Sequence, residues 1–132
     1  MKEFRLEIVT PDGLVFDDAV ESLLVRTNDG DVEFLAGHID YMASLGTGKA
    51  RLKIKGESRL ASVSGGFLTV RNGEVKLVAI TFEFAENIDI DRARAAAEKA
   101  KETLSTTTDD KSIELAKAKL QRALSRINVA ES

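Results

Sequence analysis

Glu83-Phe84-Ala85-Glu86-Asn87-Ile88-Asp89-Ile90-Asp91-Arg92-Ala93 decides the fold, because the period of the chain changes across it. Before this stretch, apolar residues recur at every second position, the period of a half-buried strand. After it, they recur every three or four, the period of an amphipathic helix. Asp89 is a good helix N-cap, and Asp91 would sit in the positive first turn. Charges crowd the seam: Glu83, Glu86, Asp89, Asp91, Arg92 and Arg94.

Upstream, Phe4, Leu6 and Ile8 alternate with Arg5 and Glu7, and Pro11-Asp12-Gly13 turns the chain. A second apolar run, Ala19–Thr27, reads as one strand ended by Asn28-Asp29-Gly30, and Val32 and Phe34 as a short one. Ala50, Leu52 and Ile54 alternate with Lys49, Arg51, Lys53 and Lys55, which predicts a strand with a solvated face or at a sheet edge. Gly65-Gly66 marks a bulge or a close backbone approach. Asn72-Gly73 between two apolar runs is a strong hairpin signal. Many short strands predict an antiparallel sandwich or barrel.

Downstream, Ala93, Ala96, Ala97, Ala100 and Leu104 form one helical stripe. Ile113, Ala116, Leu120, Ala123, Leu124 and Ile127 form another, after a polar loop at Ser105–Asp109. These predict an antiparallel helical hairpin. Alanine faces bury little area, so the hairpin is expected to be marginal and able to undock. The fold class is therefore α+β, with a sandwich over 1–84 and a hairpin over 88–132.

The 132 residues suit one domain or two small ones, and 43% hydrophobic with 31% charged residues is an ordinary globular composition. No cysteine is present, which removes disulfides, thiolate nucleophiles and cysteine metal sites. A net charge of −3 argues against nucleic acid as a partner. No apolar run approaches the ~20 residues of a membrane span, and MKEFRLEIV is not a signal peptide. A cytoplasmic protein is expected.

Motifs for chemistry mostly fail. Gly46-Thr47-Gly48-Lys49 ends like a phosphate-binding loop, but Ala43 and Ala50 stand where that loop needs Gly and Ser or Thr. Asp29, Asp31 and Glu33 alternate as a calcium loop begins, yet Phe34 occupies the glycine position. His38 is the single histidine, and no serine lies in a nucleophile motif. An enzyme is not expected, and no metal site is. Arg92 lies one turn after Asp89, while Arg122 and Arg126 are four apart on one helical face. Two such arginines either fork onto phosphate oxygens or pair with Glu98 or Glu102 across the hairpin.

Taken in order, several segments resemble the epsilon-subunit family of bacterial F-type ATP synthases over essentially the whole chain. They are Val9-Thr10-Pro11-Asp12-Gly13, Asp29-Gly30-Asp31 with Ala36-Gly37-His38, Ser64-Gly65-Gly66-Phe67, and Asp89-Ile90-Asp91-Arg92-Ala93. The resemblance implies a non-catalytic central-stalk rotor subunit, peripheral on the cytoplasmic face of the bacterial membrane. Its partners would be the gamma subunit, the polar loops of the c ring and the alpha/beta catalytic head. Helices extended into the head would restrain ATP hydrolysis. Asp31 would meet the ring, and His38 and Tyr41 would lie near gamma.

Some members of that family bind ATP, or Mg-ATP, as a regulatory ligand at Ile/Leu-Asp-x-x-Arg-Ala. Ile88, Asp89, Arg92 and Ala93 match this pattern, and Glu83, Arg122 and Arg126 match its accompanying positions. Lys99 stands where some binders have arginine, keeping the charge but losing the planar fork. Glu33, Ala36 and Asp40 replace the Gly and Pro common in the family. The alternative is a purely mechanical rotor and inhibitor, with Asp89 only a helix cap.

Overall fold

β1 (Phe4–Thr10) places Phe4, Leu6 and Ile8 in the interior and Arg5 and Glu7 outside. It begins the N-terminal half of a computed structural model that describes residues 2–132. β2 (Gly13–Val20) folds back on β1, from Phe4↔Val20 to Thr10↔Gly13. The run Ala19–Thr27 then divides, contrary to its reading as one strand. Val20 ends β2 in one sheet and Ser22 begins β3 (Ser22–Thr27) in the other. The crossing residue, Glu21, is buried, and its carboxylate accepts the Gly56 N–H at 2.6 Å. That bond satisfies a polar group that burial would otherwise penalise.

β4 (Gly30–Leu35), β5 (Tyr41–Ser44), β6 (Gly48–Ile54), β7 (Glu57–Ser64), β8 (Phe67–Arg71), β9 (Glu74–Val78) and β10 (Thr81–Phe84) complete two five-stranded sheets. Their orders are β2-β1-β9-β8-β5 and β10-β7-β6-β3-β4. The β8–β9 hairpin turns at Asn72-Gly73 with both φ positive (52° and 78°), as the sequence predicts. One pair departs from the antiparallel pattern: β1 and β9 run parallel, Leu6 beside Val75 through Val9 beside Val78. Of the two readings of β6, the solvated face holds and the sheet edge does not. The strand lies inside its sheet, between β7 and β3, and the charges on its outer side flank a helix rather than an edge.

Between the sheets lie Leu6, Ile8, Leu23, Phe34, Leu52, Leu68 and Leu77, all fully buried. Each such side chain contributes about 1.5–3 kcal/mol. Gly66 is required here, since a Cβ on it would stand 1.9 Å from the Val78 carbonyl oxygen. This is the close approach that Gly65-Gly66 signals.

A 3-10 turn (Ala85–Asn87) leads to α1 (Ile90–Thr106) and α2 (Asp110–Glu131). Asp89 caps α1 by accepting the Arg92 N–H at 3.1 Å, and Asp109 caps α2 by accepting the Ser112 N–H at 3.1 Å. α1 runs through Thr106, so the connection is shorter than Ser105–Asp109. Ala93, Ala97 and Ala100 on α1 are buried, as are Ala116, Ala123 and Val129 on α2. The bulky members of the second stripe are less buried: Ile113, Leu120 and Ile127 are half-buried and Leu124 is exposed. Leu124 is 46% exposed, because it faces the cleft between α2 and the sandwich and not α1. α1 packs chiefly on α2, and α2 packs on β6 and β7.

Candidate functional site

The seam charges fall into two groups. Glu83 projects from β10 and accepts from Arg126 Nε on α2 at 2.8 Å, a half-buried ion pair linking sandwich and hairpin. Arg126 thus finds Glu83, not Glu98 or Glu102. Glu98 instead pairs with Lys101 at 3.6 Å. Beside this bond, Ser62 of β7 and Ser125 of α2 bring their hydroxyls to 2.8 Å. Lys49 Nζ reaches the Ser132 hydroxyl at 3.5 Å, and Arg94 pairs with Glu131 at 2.7 Å.

Arg122 and Arg126 share a groove of about 320 Å³ between the helices with Lys99 and Lys119. Its floor is Ala96, Ala100 and Ala116. Four cations therefore line one concavity, and Glu83 is the carboxylate bonded to one of them. Such a groove suits an anion, because arginine forks and a lysine point charge both favour phosphate oxygens. Lys119 and Thr103 are lining residues that sequence reading missed. The 119, 122, 126 spacing, on one face of α2, is the signal that would have found Lys119.

The N-terminal end of α1 stands apart from that lining. Asp89 is exposed, with one carboxylate oxygen used for capping. Ile88 is half-buried and Ala93 is buried against α2. Arg92 is exposed, makes no ion pair among the described residues, and lies one turn before Ala96. The structure thus gathers Glu83, Arg122 and Arg126, with Lys99, and leaves Asp89 and Arg92 just beyond the groove. Glu86 bonds to Arg59, and its carboxyl is held below the usual range, first by its own backbone N–H and then by Arg59.

A larger cleft, about 770 Å³, lies on the other side of α2 over Leu24 and Leu60. Its arginines are engaged: Arg26 with Asp31 at 2.6 Å and Arg51 with Glu33 at 3.6 Å. Gly48, from the failed phosphate-loop pattern, lines it for a steric reason. A Cβ there would come 2.9 Å from Arg26 Cβ, so the glycine makes room for the arginine stem. The Asp31 carboxyl is held below the usual range by the hydrogen bond from Arg26.

Asp31, His38 and Tyr41 lie along one open side of the sandwich, where the edge strands β4 and β5 meet. The His38 ring packs 4.9 Å from Phe34 and 5.7 Å from Tyr41, centroid to centroid. Leu35 on β4, Ile39 in the loop, Met42 on β5 and Phe67 on the neighbouring β8 are exposed. Uncovered edges with apolar side chains are pairing surfaces that proteins normally cover.

Residues 3–85 match the family described as "ATP synthase, Delta/Epsilon chain, beta-sandwich domain". Residues 86–131 match "ATP synthase, Delta/Epsilon chain, long alpha-helix domain". The ATP synthase epsilon chain of Bacillus velezensis is 46% identical over 130 residues, covering 98% of both chains. That of Bacillus subtilis is 45% identical with the same coverage. A chain in the cryo-EM structure of the Euglena gracilis mitochondrial ATP synthase superposes with a TM-score of 0.84 at 23% identity. The superposition covers 98% of this chain and 82% of that one, a likeness of fold.

Proposed function

The chain belongs to the ATP synthase delta/epsilon family, and from that premise we propose that it is a non-catalytic rotor subunit that also senses ATP. As an epsilon subunit it is part of the central stalk of the synthase. In the proposed reading, residues 1–84 dock on gamma and the c ring and residues 88–132 regulate. Rotation is coupled to synthesis through the docked part, and extended helices reach the alpha/beta head and restrain hydrolysis. The open side with Asp31, His38 and Tyr41 is the proposed docking surface. No helix among the described residues is long and apolar enough to cross a membrane. Attachment to the cytoplasmic face is therefore proposed through the complex.

The observation that carries ATP sensing is the convergence of Lys99, Lys119, Arg122 and Arg126 in one groove beside Glu83. The triphosphate is proposed to engage Arg122 and Arg126, with Asp89 and Arg92 closing on the nucleoside end. Both helices must be folded for these groups to meet. ATP would therefore favour the compact form by as much as its affinity differs between the two forms.

The experiment is an ATP titration of the full chain, followed by melting and NMR. Saturating ATP should raise the melting temperature, since a ligand at a hundredfold its Kd stabilises the folded state by about 2.7 kcal/mol. Arg122→Ala should abolish the shift. It is a cleaner variant than Arg126→Ala, because Arg122 forms no ion pair among the described residues. Unchanged spectra at millimolar Mg-ATP would leave the mechanical rotor alone standing. One observation favours that second reading: the Asp89 carboxylate already caps α1. Asp89→Asn separates the two, because asparagine caps as well as aspartate. An ATP response that survives this change intact would assign Asp89 to capping alone.

A further inference from the structure

We infer that Arg59 sets the pivot of the hairpin, clamping the chain through Glu86 so that movement begins at Asn87–Ile88. The inference rests on the proposed reading in which the hairpin undocks. Two separate sets of contacts hold the second half of the chain to the first. One belongs to α2: the bonds of Ser125 and Arg126 to Ser62 and Glu83. The other joins the linker to the sandwich through side chains of neither helix, although α2 also lies close to the turn Ala85–Asn87. Phe84 is buried at the end of β10 and meets the edge of Phe82 at 5.1 Å and Phe16 at 6.2 Å, centroid to centroid. The Arg59 guanidinium carbon lies 3.5 Å above the Phe84 ring centroid. The same group donates Nε to Glu86 Oε1 at 2.7 Å.

None of the atoms in this second set belongs to either helix. Arg59 is rooted in β7, an interior strand of its sheet, opposite Leu52 of β6. Its stacking and its ion pair therefore survive when α2 lets go. Cation–π stacking and a charge-assisted bond through one planar group suit arginine and not lysine. Beyond Glu86, Asn87 is exposed and Ile88 is extended (ψ 125°). Ile88 N–H donates to the Ala85 carbonyl at 3.2 Å, closing the turn that the clamp holds. The bonds beside this residue are the first that Arg59 does not restrain. α1 adds little hold of its own, since it packs chiefly on α2.

The chain has no cysteine, so spin labels on Glu57→Cys and Lys111→Cys report hairpin position in the full chain. The Ile88 amide reports the turn by hydrogen exchange. Breaking the α2 contacts with Ser125→Ala and Arg126→Ala together should lengthen and broaden the label distance while Ile88 keeps its protection. Arg59→Ala should lower Ile88 protection about tenfold, with the sandwich amides unchanged. Arg59→Lys, a milder change, should lower it less. Unchanged Ile88 protection in both Arg59 variants overturns the clamp. Labels that move with Ile88 freed in the double variant place the pivot earlier, and overturn it too. Labels that stay put in the double variant overturn the movable hairpin itself, and the pivot with it.

Discussion

The sandwich and the hairpin are held together by different means. Between the sheets, leucine, isoleucine and phenylalanine side chains are fully enclosed. Between the helices the buried residues are mostly alanines, and the hold on the sandwich runs through a few polar bonds. Free energy follows apolar area removed from water, so the first region is stabilised far more than the second. Local opening takes the weakest units first. One chain thus contains a firmly packed base and an arm whose position small energies can bias, as the proposed docking base with a regulatory limb would need.

The largest test breaks the rigid half. Phe34→Ala removes a fully buried ring from between the sheets. It should cost about 3–5 kcal/mol in urea unfolding. It should also loosen the stack of His38 and Tyr41 that rests on that ring. A cost below about 1 kcal/mol would mean that the site collapses easily and that the sandwich is not the rigid partner. Ala123→Leu, by contrast, adds bulk at a fully buried position of α2. Overpacking costs about 1–3 kcal/mol. The effect should appear as lost amide protection in both helices, with strand amides unmoved. Equal loss in strands and helices would show that the two regions open as one unit.

How much of this is legible in the sequence depends on the range of the contacts concerned. Local rules sufficed for the Asn72-Gly73 turn, the Asp89 cap and the change of period at the seam. The cap needs only a carboxylate three residues before the N–H it accepts. The split of Ala19–Thr27 at Glu21 was not legible, because strand identity there depends on which sheet each half joins. Nor was the interior place of β6: its charged outer face alternates as an edge strand would, and the helix beside it lies far along the chain. At the candidate site, the shared face of Arg122 and Arg126 follows from helical spacing. The meeting of Arg126 with Glu83 does not, since that bond spans 43 positions. Arg59 carries no local sign of its role, because both its partners lie far along the chain, Glu86 27 positions on.

The smallest test concerns the far end of the arm and uses pH. The Asp109 carboxyl is held below the usual range, first by the Ser112 hydroxyl and then by backbone N–H groups at the start of α2. A carboxyl lowered in the folded chain adds stability that is present in full above its unfolded pKa, near 4. That stability is lost as pH falls through the lower folded value. Protection of the first turns of α2 should therefore be flat from neutrality to about pH 5 and decline below it. Glu86 titrates in the same direction at the other end of the hairpin, so wild type alone does not isolate Asp109. Asp109→Asn keeps a cap acceptor without the titration. The difference between the two proteins should then change only below about pH 5, and only near Asp110–Ile113. A difference that spreads to the strands would make the cap part of the rigid half, against the contrast drawn between the two regions.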